Sequence, residues 1–184
     1  LKHALLLGDL LNIKVHAWIN TYLIWSSISP PKDPAHIYHS KSDWFDLDEQ
    51  GKINLINSLP ENRSYDWKGI YLSPNNPEVN SYILDIVKEI TSNYPNLSGL
   101  HFDYIRFQDR NYGFNHLGVE IFKNQYGFNP KDIVSGRIYD SFGWSNNEAD
   151  SISNLWFDLN QKNITGLLIS IKDFIRNSSG SRMS

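Results

Sequence analysis

The stretch from Asn76 to Phe107 constrains this chain most, because it specifies a helix and the strand after it with little freedom in either. Asn76 is a natural N-cap, and Pro77 suits the first helical position, whose N–H needs no partner. Glu78 puts an acid where the helix dipole is positive. Val79, Tyr82, Ile83, Ile86, Val87 and Ile90 then recur at i, i+3, i+4, i+7, i+8 and i+11, one apolar stripe that must be covered. Pro95 closes the helix, and residues 99–107 read as a strand. Residues 70–73, a short strand that stops at Pro74, complete a strand–helix–strand unit. Further upstream, residues 13–20 alternate cleanly: Val15, Ala17 and Ile19 share one face of a strand, and His16, Trp18 and Asn20 share the other.

Around these segments, residues 1–11 read as a helix tail stopped by Asn12. Two Pro-rich runs, 29–34 and 59–63, mark a long inserted loop at about 26–68. Helices are expected near 117–126 and 155–176, with a loop rich in Gly, Asn and Asp between them. The chain has 184 residues and 40% hydrophobic content, enough for one globular domain and too apolar for a disordered one. Lys and Arg number 17 against 20 Asp and Glu, without a basic cluster, so there is no electrostatic footprint for nucleic acid. The longest apolar runs, 4–7 and 166–171, fall far short of the roughly 20 residues that span a bilayer, so no membrane span is expected. Absence of Cys excludes disulfides, thiolate metal sites and a Cys nucleophile. Aromatic residues reach 14%, six of them Trp, more than a core of this size needs, which points to a surface that stacks flat ligands such as sugars.

The chemistry concentrates in Gly99-Leu100-His101-Phe102-Asp103-Tyr104-Ile105-Arg106-Phe107, where a charged Asp interrupts an apolar and aromatic strand. Alternation puts His101, Asp103 and Ile105 on one face and Phe102, Tyr104 and Arg106 on the other, unless the strand ends near Tyr104. A carboxylate at the C-terminal end of a parallel strand lies where α/β proteins gather their functional groups. The structural alternative is an Asp103–Arg106 ion pair that fixes the strand end. A buried Trp beside a satisfied His is common in barrel cores, so His16 and His101 taken singly read as structural and Trp18 reads equally as a core residue, whereas Asn20 sits at a strand rim where ligands dock. His16, His101 and Asp103 together could be imagined as metal ligands, but no HxH or HExxH spacing accompanies them, and neither a metal nor an organic cofactor is implied. Nucleophile elbows and phosphate loops are absent too.

His16-Ala17-Trp18-Ile19-Asn20, then Tyr71-Leu72-Ser73-Pro74-Asn75-Asn76-Pro77-Glu78-Val79, then residues 99–107 resemble, in that order, the three best-marked blocks of the glycosyl hydrolase-like 10 family, formerly domain of unknown function 187. Residues 156–165 are a weaker fourth block. They depart from the family at Leu159-Asn160, where members tend to carry Trp-Arg. The resemblance implies an α/β fold, part of a TIM-type (β/α)8 barrel. Residues 13–20 would be about its third strand and 99–105 the next, with the 26–68 loop inserted between them. Such barrels take about 250 residues. The chain, opening on Leu1 within an apolar helical pattern, would then be one partial domain, 1–184, missing strands at both ends.

The resemblance also implies cleavage of O-glycosidic bonds in polysaccharides, bacterial cell-wall glycan strands among them, and hence a secreted or cell-envelope location. Glycoside hydrolysis uses two carboxyl groups. Asp103 is the candidate nucleophile or base, kept ionised by Arg106, while the general acid would belong to a strand outside the chain, leaving this piece inactive alone. Trp18, Tyr71 and Tyr104 are candidate platforms for pyranose rings and Asn20 and Asn75 candidate hydroxyl ligands; His16, His101 and Arg106 complete the expected substrate-binding set. Two rivals remain, a non-catalytic glycan-binding module and a metal-dependent hydrolase. Composition leaves the oligomeric state open.

Overall fold

In chain order the elements of the computed structural model are α1 (Lys2–Leu11), β1 (His16–Asn20), β2 (Leu23–Trp25), α2 (Ile37–Ser40), a 3-10 turn (Ser42–Trp44), β3 (Ile70–Tyr71), α3 (Pro77–Asn93), β4 (Gly99–Asp103), α4 (His116–Tyr126), α5 (Pro130–Val134) and α6 (Asn146–Ser178). The structure describes residues 1–27, 29–53, 69–137, 143 and 145–178. Residues 54–68 of the expected inserted loop, the Pro-rich run 59–63 among them, and the last six residues lie outside these; the described part of that loop carries α2 and the 3-10 turn.

Local signals explain most boundaries. Asn12 stops α1 by taking a left-handed conformation, φ 53°, which asparagine tolerates better than most residues. Asn76 starts α3, its side chain accepting the Glu78 N–H at 2.9 Å, and Val79, Ile83 and Val87 of the stripe are buried. Gly127, at φ 80°, ends α4. Helix α6 meets no proline over 33 residues, so it runs unbroken for about 50 Å.

Strands β1 and β4 lie side by side in parallel, in the register His16–Gly99, Ala17–Leu100, Trp18–His101, Ile19–Phe102 and Asn20–Asp103. Helix α3 belongs to the long connection between them, as a parallel pair requires. Leu100 and Phe102 point into the main core, built from Tyr22, Phe45, Tyr71, Leu72, Val79, Ile83 and Val87 with Leu167 and Ile171 of α6. A second core gathers Phe114, Phe122, Ile133 and Trp156, with Phe114 stacked on Trp156 at 5.3 Å and Phe122 edge-on to it at 5.2 Å. Helix α6 runs through both.

The barrel expectation is not met. Among the described residues 53% are helical and 12% are strand, with two small sheets of two strands each. After β1 only Thr21 and Tyr22 intervene before β2, too short a link for a parallel crossover, so β2 turns away and pairs antiparallel with β3 (Leu23–Tyr71 and Trp25–Ile70). The two pairs therefore form separate sheets rather than consecutive strands of one parallel barrel wall.

Candidate functional site

The β1–β4 register puts His16, Trp18 and Asn20 on the same side as His101 and Asp103, because paired residues of adjacent strands share a face. Ala17, Ile19, Leu100 and Phe102, all half-buried, take the opposite side. On the first face His16, Trp18, Asn20 and His101 are exposed and Asp103 is half-buried. Trp18 is 71% exposed and meets the His101 ring edge to face at 5.3 Å. The core reading of His16, Trp18 and His101 is thereby excluded.

Strand β4 ends at Asp103 because the next residue leaves the extended region: Tyr104 takes a left-handed φ of 51°, a conformation that costs a non-glycine residue about 1 kcal/mol. Hydrogen bonds hold it there. The Tyr104 N–H donates to Asp103 Oδ1 at 2.7 Å, and the Asp103 carbonyl accepts the Thr21 N–H at 2.8 Å. The turn carries Tyr104 and Arg106 toward β3. The Tyr71 and Tyr104 rings meet edge-on at 6.1 Å, and the Arg106 guanidinium lies over both, 5.4 Å and 5.9 Å from their centroids.

Arg106 does not form the ion pair with Asp103 that would have fixed the strand end. Its Nη1 donates to the carbonyls of Phe107 (3.0 Å) and Gln108 (2.7 Å), and its Nη2 donates to the Tyr71 hydroxyl (3.1 Å). Burial pushes the Tyr71 phenol up, while the guanidinium beside it pulls in the other direction. Tyr71 is fully buried and thus a core residue that orients Arg106 rather than a platform for a sugar. Asn75, too, lies inside, 2% exposed. Its Nδ2 donates to the Gly113 carbonyl (2.8 Å) and to Asn160 Oδ1 (2.7 Å), and its Oδ1 accepts from Asn163 Nδ2 (2.8 Å). These bonds are internal, so Asn75 ties the loop before α3 to α6 instead of facing substrate. Asn160, where the chain departs from the family pattern, is one of its partners.

A carboxylate that the sequence pattern did not single out sits behind this region. Asp46 is 1% exposed, and its Oδ1 accepts the Gly113 N–H at 3.0 Å. Burial raises its pKa to about 7, against the backbone N–H groups of Gln108, Gly113 and Leu47 and the nearby Ser73 hydroxyl, which pull it down. Even so, Asp46 Oδ2 and Ser73 Oγ each lack a completed hydrogen bond, as do Thr21 Oγ1 and Gln108 Nε2, all of them buried. No signal in the sequence marks it: Phe45-Asp46-Leu47-Asp48 alternates as a half-buried strand would, a pattern that places Asp46 in water, and its burial comes from the distant residues Ser73, Gln108 and Gly113. A pKa near 7 suits a proton donor, but this burial denies Asp46 contact with a substrate.

A cleft of about 660 Å³ opens on the other side of Arg106, between residues 106–112 and α6. Among the described residues no group of three or more His, Asp and Glu side chains could hold a metal ion, and no helix is long and apolar enough to cross a membrane. No protein-family model matches the chain, and no curated protein matches its sequence.

Proposed function

We propose that the exposed face of the β1–β4 pair binds a glycan, and that Asp103 serves as nucleophile or base in cleaving its O-glycosidic bond. One observation carries this reading: a solvent-facing Trp18, flanked by His101 and ending on Asn20 and Asp103, on a strand pair whose other face is committed to the core. An indole that stands 71% exposed contributes little packing to its own fold and offers a flat apolar ring to the apolar face of a pyranose. Asp103 stands at the C-terminal strand end, half-buried beside the exposed face, its Oδ1 accepting the Tyr104 N–H, which fixes the direction of the carboxylate. The likeness of the three sequence blocks to a glycoside hydrolase family points to the same substrate class.

The second reading is a glycan-binding module without catalysis. It is favoured by a specific fact: Asp103 is the one carboxylate on these two strands, whereas hydrolysis ordinarily takes two. Release of reducing ends from purified glycan strands separates the two readings. If Asp103 is catalytic, Asp103→Asn lowers turnover by about a hundredfold or more while binding and melting temperature persist. Unchanged turnover in that variant ends the catalytic role. Both measurements are made on the full-length gene product, since the general acid is expected from outside this chain; binding without turnover there selects the module.

A further inference from the structure

The cleft beside Arg106 has a chemistry that neither the strand face nor the fold explains. Tyr112 and Phe157 bring aromatic rings to its wall, and Phe157 is 52% exposed, a large apolar side chain with half its surface uncovered. The same lining includes Asp109, Arg110, Asp158 and the amide of Gln161, all exposed. Counting Arg106, the lining holds two guanidinium groups against two carboxylates, so among the described residues its formal charge balances.

That composition selects among ligand classes. An anion would need an excess of positive charge, and a purely apolar ligand would strip water from four charged groups without replacing the lost hydrogen bonds. A neutral ring with one apolar face and a rim of hydroxyls meets both demands, stacking on the aromatic side chains while the charged and amide groups bond its edge. The volume, about 660 Å³, lies within the usual range for small-molecule sites. Arg106 lines the cleft and also donates to the Tyr71 hydroxyl, next to the turn that ends β4, so the cleft and Asp103 flank the same loop.

We propose that this cleft is a second glycan subsite, which takes a neutral pyranose ring of the same chain that the β1–β4 face engages. The proposal rests on the glycan reading of that face. It assigns Phe157 the role of a stacking platform and Gln161 that of a hydroxyl ligand, with a longer oligosaccharide bridging face and cleft.

Calorimetric titration of the chain with neutral chitohexaose, chitobiose and anionic hexagalacturonate tests it. The expected result is that Phe157→Ala weakens chitohexaose about tenfold and leaves chitobiose, which reaches one site only, bound as before at the β1–β4 face. Trp18→Ala weakens both. Gln161→Ala, an exposed change that leaves the helix intact, gives a smaller loss for the hexasaccharide alone. Wild-type affinity of Phe157→Ala for chitohexaose, with Trp18→Ala still defective, overturns the subsite and leaves the glycan reading standing. Failure of the unsubstituted chain to bind any of the three saccharides overturns that reading and the subsite with it. Preference for hexagalacturonate over chitohexaose overturns the assignment of a neutral ring.

Discussion

Replacing Asp46 with asparagine should free the protein of a stability loss that it suffers as pH rises. The Asp46 carboxyl gives up its proton near pH 7 in the folded chain, against an ordinary value of 3.8, because burial penalises the charge. Between those values the folded state holds a proton that the unfolded chain has released. Stability is therefore full below about pH 4 and declines through the window by about 1.4 kcal/mol per unit, or about 4 kcal/mol in all by pH 7. Asp46→Asn keeps an oxygen for the Gly113 N–H and puts a donor where Oδ2 has no partner, beside a Ser73 hydroxyl that also lacks one. Urea unfolding followed by tryptophan fluorescence reports on this region directly, since the buried Trp44 is two residues away. Taking the difference between variant and wild type at each pH cancels the titration of the other groups. That difference should be near zero at about pH 4 and grow to about 4 kcal/mol in favour of the variant at about pH 8. A difference that stays flat, or a variant less stable at the alkaline end, would refute the reasoning and show that the N–H groups around Asp46 outweigh its burial.

Gly118 faces the loop before α3 so closely that an added Cβ would stand 2.5 Å from Asn75 Cβ; Gly118→Ala should cost about 2 kcal/mol in a thermal or urea melt. Asn75→Ala strands the Gly113 carbonyl and the amides of Asn160 and Asn163, and should lower unfolding free energy by about 3 kcal/mol. Trp18→Ala should leave the melting temperature within the error of the measurement, since so little of the ring is covered, while glycan affinity falls. Arg106→Lys cannot reproduce the planar fork that reaches two carbonyls and the Tyr71 hydroxyl; faster hydrogen exchange in residues 104–113 is the expected result.

How much of this was legible in the sequence depended on how local the cause was. Helix α3 was, down to its cap, because Asn76, Pro77 and the apolar stripe act over a few residues. The shared face of His16, Trp18, Asn20, His101 and Asp103 followed from period-two alternation once the strands were recognised. Strand β2 was not, since Leu23-Ile24-Trp25 is too short to show a period and exists only through its pairing with the distant β3. The barrel implied by resemblance failed at the same place, in a pairing that neither strand announces. Asn75, a candidate hydroxyl ligand from the sequence, is instead bound internally by Asn160 and Asn163 of α6, partners 85 and 88 residues away.

Helix α6 touches both apolar cores, Trp156 in one and Leu167 with Ile171 in the other, and the Asn75 amide grips it between them through Asn160 and Asn163. A rod anchored at two places and clasped in the middle leaves neither core free to melt alone. Loosening of the α4–α5 end should be felt at α3 within one cooperative transition, and amide protection along α6 should fall away from Asn160 toward its termini rather than in two separate steps.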